Sequence, residues 1–111
     1  MHHADTTDEA FAAYPDATTH IVDGPGSKAK FMTAIADALS FPDWFGRNLD
    51  ALQDCVRDLS WLEPGEHLLV WRNPGALRGG DNATFHHIED ILTRADGKAA
   101  GAVTLHVIAV D

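Results

Sequence analysis

Two apolar runs set the tightest limits on how this chain folds. Leu68-Leu69-Val70-Trp71 is continuous, and Val103–Val110 is nearly so, broken by His106. Between them, Phe85, Ile88, Ile91, Leu92 and Ala95 recur at helical spacing over residues 82 to about 96. Strand, helix, strand in that order implies parallel pairing through a right-handed crossover. An earlier β-rich run, Thr18-Thr19-His20-Ile21-Val22, is stopped by Asp23-Gly24-Pro25-Gly26. Ser27 then suits an N-cap, with Phe31, Ile35, Ala38 and Leu39 as one stripe of a first helix. Pro42 ends that helix, because its ring pushes Phe41 towards extended geometry. Asn48 can cap a second helix running to about Leu59, and Glu66 to Trp71 reads as the second strand. Asn73-Pro74-Gly75 and Arg78–Asn82 read as a turn and a loop, and Gly97 and Gly101 bracket the exit of the third helix. The expected fold class is α/β: a small two-layer domain whose three-stranded parallel sheet is packed by helices.

A length of 111 residues fits one domain that needs no metal or disulfide staple. Cys55 is the only cysteine, so an intrachain disulfide and a Cys-based zinc site are both excluded. Asp and Glu number 17 against 8 Lys and Arg, a net charge of -9. Such a chain is poorly suited to hold nucleic acid or an anionic membrane and well suited to a basic partner. Met1-His2-His3-Ala4-Asp5 lacks the character of a secretory signal, and no run approaches the ~18 apolar residues of a membrane span. The expectation is a cytoplasmic protein, monomeric when free. Residues 1–17 hold Asp5, Asp8, Glu9 and Asp16 and no Lys or Arg. Apart from pins at Phe11 and Tyr14, they read as a mobile acidic N-terminal arm beside a domain over residues 18–111.

The second helix carries the unusual signal. Leu49, Leu52, Cys55, Val56 and Leu59 gather on one side. Asp50, Asp54 and Asp58 recur at i, i+4 and i+8 on roughly the opposite side. Each like-charge i, i+4 pair costs about 0.2–0.5 kcal/mol in an isolated helix. Asp58 also stands in the last turn, where the macrodipole disfavours it. One reading is a solvated face, partly neutralised by Arg47 and by an Asp54–Arg57 pair. The other is a row of carboxylates about 6 Å apart, a spacing broadly similar to that of phosphates on an extended nucleic-acid strand. Trp44 and Phe45 just before the row favour the second, since aromatic anchors beside charges are the composition of an interface hot spot. One of the two rings is expected in the core and the other exposed, with Trp44 as the contact. Gly46 is a candidate for positive φ ahead of the Asn48 cap.

Other chemistry is weaker. His86 with Glu89 or Asp90 gives two metal ligands at most, with no His-Glu-x-x-His pattern. Cys55 on the apolar side reads as a buried structural thiol. Three Asp on an exposed convex helix lack the cleft that would shift a pKa for acid/base catalysis. Gly24-Pro25-Gly26-Ser27-Lys28 lacks the spacing of a phosphate loop. No enzyme, metal or cofactor is expected.

The block Phe41-Pro42-Asp43-Trp44-Phe45-Gly46-Arg47-Asn48-Leu49-Asp50-Ala51-Leu52-Gln53-Asp54-Cys55 resembles the barstar family of intracellular ribonuclease inhibitors, as do Val70-Trp71-Arg72 and the order of elements from about residue 19. The resemblance implies a barstar-like fold and an inhibitor of a secreted, basic, guanyl-specific ribonuclease of the barnase type. Helix 48–59 and the preceding aromatic loop would block the nuclease site. It implies Asp54 in the phosphate-binding centre of the nuclease, Asp50 on neighbouring donors and Trp44 on the catalytic region. Asn48, Leu49 and Asp58 would lie along the contact edge. The implied partner-binding set is Trp44, Phe45, Gly46, Asn48, Leu49, Asp50, Gln53, Asp54, Arg57 and Asp58. Gln53, Arg57, Asp58 and Arg94 depart from the family pattern and alter charge and shape at the rim. The alternative is a non-catalytic interaction or immunity module for a different basic toxin or regulator.

Overall fold

A computed structural model describes residues 1–111. The elements are β1 (His2–Ala4), α1 (Thr7–Ala13), β2 (Thr18–Asp23), α2 (Lys28–Ala38), α3 (Leu49–Asp58), β3 (Gly65–Arg72), α4 (Gly75–Gly80), α5 (Asn82–Ala95), β4 (Lys98–Ala100) and β5 (Val103–Val110). The strands form one sheet in the order β1-β5-β3-β2, all parallel, with β4 antiparallel to β5. β3 lies in the middle, pairing Gly65–Arg72 with Val103–Val110 on one side and His67–Arg72 with Thr18–Asp23 on the other.

The α/β class and the parallel core are as expected, but the sheet has five strands rather than three, and five helices pack on it. The two additional strands share the outer edge of β5. β1 runs beside Ile108–Val110 and β4 beside Val103–Leu105. Three residues each is too short to carry a periodicity, so neither stood out in the sequence. α4 similarly occupies a stretch rich in turn residues. It is held close to the start of α2, where a Cβ at Gly80 would overlap the Gly26 carbonyl.

One face of the sheet presents Val22, Leu69, Trp71, Val103, Leu105 and Val107 to α2, α3 and α5. These helices contribute Phe31, Met32, Ile35, Leu52, Ile88 and Leu92, all essentially inaccessible. The other face presents Leu68, Val70, Ile108 and Val110, and α1 covers it through Ala10, with Phe11 and Tyr14 alongside. Residues 1–17 are therefore not a mobile arm. Their acids serve a helix start: the Thr6 side chain accepts from Glu9 N–H at 3.1 Å, and the Glu9 carboxylate accepts from Asp5 N–H at 3.1 Å. This is a variant of the capping box in which Glu9 reaches the N–H one residue before the Thr6 cap, and Asp8 and Glu9 in the first turn suit the helix dipole.

α2 and α5 begin as their caps dictate. Ser27 caps α2 and Asp81 caps α5, the latter accepting from Thr84 N–H and Oγ1–H at 3.1 and 2.6 Å. These bonds hold the half-buried Asp81 carboxyl below its ordinary pKa. α2 ends at Ala38, before Pro42, where Ser40 turns left-handed at φ 55° and Phe41 N–H returns to the Ala36 carbonyl. A pair of rings ties this end to the sheet. His20 Nδ1 donates to the Ala38 carbonyl at 2.7 Å, His20 Nε2 faces His67 Nδ1 at 2.9 Å, and His67 Nε2 donates to the Glu63 carbonyl at 2.7 Å. Burial pushes His20 below its ordinary pKa, against the pull of the Ala38 carbonyl, and charge on His67 adds to the depression.

Ala10 is fully enclosed between α1 and the sheet. Ala10→Asp should therefore lower unfolding stability by at least about 2 kcal/mol, the scale of burying an unpaired charge. Urea denaturation measures this, and an unchanged midpoint would mean that α1 does not seal the second face.

Candidate functional site

The site starts from the register of α3. Asn48 has extended backbone, and its Oδ1 accepts from Ala51 N–H at 2.8 Å, capping the helix as its sequence position predicts. The other end stops at Leu59, which is left-handed at φ 50° and wholly buried. Between them Leu52, Cys55 and Val56 face the core, with Leu49 and Ala51 packed partly against it. Fully burying a Leu or Val contributes about 1.5–3 kcal/mol. Several such groups outweigh the ~0.4–1 kcal/mol cost of the two like-charge Asp pairs. The core therefore fixes the rotation of α3, and that rotation leaves Asp50, Asp54 and Asp58 exposed.

None of the three carboxylates takes part in an ion pair or a side-chain hydrogen bond. The neutralisation expected of Arg47 and Arg57 does not occur. Arg47 donates instead to Thr33 Oγ1 at 3.2 Å, bracing the loop against α2. Arg57 and the half-buried Gln53 face a groove between α3 and α5. Asp58 stands with Arg57 at a separate shallow depression near Leu62 and Pro64. The charges are felt inside the helix. Burial pushes the Cys55 thiol up, and Asp58 and Asp54 push it further.

The loop before α3 divides its two aromatics as expected. Trp44 is 63% exposed and Phe45 only 8%. Phe45 is thus a core residue and no contact surface, because its ring meets Phe41 edge-on at 4.8 Å beneath the loop. Trp61, which no periodicity in the sequence singles out, positions Trp44. It packs edge-on at 6.3 Å against Trp44 and at 5.8 Å against Phe41, and its Nε1–H donates to the Leu39 carbonyl at 2.9 Å. A large aromatic isolated in the turn after α3 was the available signal. Gly46 does not adopt positive φ; Arg47 does, at 53°. Gly46 leaves room for the cap instead, since a Cβ there would sit 3.0 Å from Asn48 Nδ2 and make that side chain shift by a few tenths of an ångström.

The assembled surface is an exposed indole, a capped helix start and an unpaired carboxylate row, all on rigid backing. The metal candidates do not converge: His86 Nδ1 lies 3.7 Å from Glu89 on the exposed side of α5, and no group of three His, Cys, Asp or Glu forms. No helix is long and apolar enough to cross a membrane. A family model described as Barstar (barnase inhibitor) matches residues 17–109. The chain belongs to the barstar family. The match takes in β2 through nearly all of β5 and includes the whole of α3 and its aromatic loop. Barstar family members are inhibitors, not enzymes. β1 and the whole of α1 precede the matched region, so the cover on the second face lies outside it. No curated protein matched the chain.

Cys55 should be inert to iodoacetamide in the native protein at pH about 8.5, where an ordinary thiol is half ionised. It should react once the protein is unfolded. Rapid labelling of the folded chain would show that the apolar side of α3 is open.

Proposed function

We propose that this protein inhibits a basic, secreted, guanyl-specific microbial ribonuclease by covering its active site with α3 and the loop that precedes it. The observation that carries the reading is the unpaired carboxylate row, exposed on a helix that belongs to the barstar family match. A nuclease site holds RNA phosphates with Arg, Lys and His. Carboxylates offer the same donors charge-assisted acceptors, without a bond to cleave. Asp54, mid-row, enters the phosphate-binding centre, and Asp50 pairs with donors beside it. Asp58 extends the row towards the rim, and Asn48 and Leu49 lie along the contact edge.

Three physical effects combine. The net charge of -9 accelerates encounter with a basic enzyme. The carboxylates stem from fixed positions on a helix whose other side is locked into the core, so little backbone freedom remains to be lost on binding. Trp44, braced by Trp61, and Leu49 contribute apolar burial that slows release. Protection of the producing cell from its own nuclease, in the cytoplasm, is the role this activity would serve.

The test is an inhibition titration against a panel of microbial guanyl-specific ribonucleases. Asp54→Ala should weaken inhibition by at least about 2 kcal/mol, roughly 30-fold, a range for which barnase with its own inhibitor is among the measured cases. Asp90→Ala should have little effect, and neither should move the melting temperature appreciably. Raising salt should slow association more than it speeds dissociation. Equal effects of the two substitutions would refute the site, and a retained binding partner without ribonuclease activity would favour an immunity module for another basic toxin.

A further inference from the structure

The groove between α3 and α5 has the opposite charge to the surface around it. Gln53, Val56 and Arg57 form one wall, Ile91, Arg94 and Ala95 the other, and Lys98–Ala100 of β4 close one end. Its volume is about 470 Å³. Val56, Ile91 and Ala95 are nearly buried and make an apolar floor, while Arg57, Arg94 and Lys98 are exposed. Three of the chain's 8 Lys and Arg thus line one groove, and no lining residue is acidic, in a chain with 17 Asp and Glu. Arg57 and Lys98 take part in no ion pair. Arg94 meets only Asp90, at 3.3 Å in an exposed i, i+4 pair of the kind that is worth little. Asp58 is the acidic neighbour, at the adjoining depression that Arg57 also lines.

We propose that this groove receives an acidic segment of the same partner whose basic site the α3 carboxylates cover. The inference rests on the inhibitor reading for the identity of that partner. Continuity supports it, because Gln53 and Arg57 interleave with Asp50, Asp54 and Asp58 on one exposed helix, so a protein seated on the row lies over the groove's edge. Charge supports it as well. A uniformly basic enzyme surface would meet three cations there, of which only Arg94 has an acidic partner, and like charges opposed across an interface disfavour binding. A partner with an acidic lip beside its basic cleft meets attraction in both places. Arg57 and Arg94 suit carboxylates, which their planar forks can hold bidentately, and the apolar floor suits the stems of Glu side chains. The partner class is therefore a nuclease with a bipolar surface, and the groove cations select it from nucleases that are basic throughout.

Two measurements test this, one of them without any nuclease. In the first, tetraglutamate is titrated into the ¹⁵N-labelled full chain at low salt, with tetralysine and inorganic phosphate in parallel. Amides of Arg57, Ile91–Ala95 and Lys98–Ala100 should shift and saturate with tetraglutamate, and the R57E/R94E/K98E variant should bind it at least about tenfold more weakly. Shifts scattered over the surface, equal binding by the variant, or saturation of the groove by phosphate but not by tetraglutamate would each overturn the proposal. In the second, R94E/K98E is compared with K28E/K30E, which changes net charge equally on α2, in inhibition of a ribonuclease the protein blocks. Weakening confined to R94E/K98E is expected, and equal behaviour of the two pairs would overturn it. Failure here with Asp54→Ala still disruptive removes the groove alone. An Asp54→Ala variant that inhibits normally removes the inhibitor reading instead.

Discussion

The structure depends on two strands that are apolar on both sides. β3 and β5 place Leu69, Trp71, Val103, Leu105 and Val107 on one face and Leu68, Val70, Ile108 and Val110 on the other. A strand of this kind is stable only with cover above and below. The α2, α3 and α5 layer supplies the first cover and α1 the second. The position of α3 follows from this packing. Its Leu52, Cys55, Val56 and Leu59 are held at zero to three per cent exposure, so the helix cannot rotate without exposing them. A row of aspartates on its outer side is thereby fixed in direction and spacing.

A fixed acidic row is a poor choice for folding and a good one for recognition. The chain accepts repulsion along α3, places Asp58 at the unfavourable end of the helix dipole, and leaves no cation to neutralise the row. A local conflict of this kind, left uncorrected within a well-packed domain, is where functional constraint is expected. The same pattern holds in the preceding loop. Phe41, Phe45 and Trp61 fill the space beneath it and leave Trp44 displayed, so the exposed indole is mounted on an aromatic base. Charge and apolar anchor thus share one rigid support.

The parts that could be read from residues alone are those with a strong local cause. The parallel α/β core followed from two apolar runs separated by a helical repeat. The Asn48 cap, the buried side of α3, the outward Asp row and the split between Trp44 and Phe45 followed from periodicity and composition, and the family from the residue 41–55 block. The acidic segment at residues 1–17 misled, because the acids that resemble a disordered arm include Asp8 and Glu9, which form the first turn of α1, with Glu9 also tying the Thr6 cap to Asp5 N–H. Gly46 misled too: the left-handed residue is Arg47, and the glycine leaves room beside the Asn48 cap.

The sequence by itself determined which residues are apolar, where helices begin, and that three carboxylates share one helical side, since each depends on neighbours within a few positions along the chain. Tertiary structure decided what those sides meet. β1 and β4 are three-residue strands that exist because β5 offers them an edge. Trp61 became a brace for Trp44 across a gap of seventeen positions, and Arg57 and Arg94 became one groove although they lie on different helices. Contacts between residues distant in sequence leave no periodic trace, because their cause is the packing of whole elements against a common core.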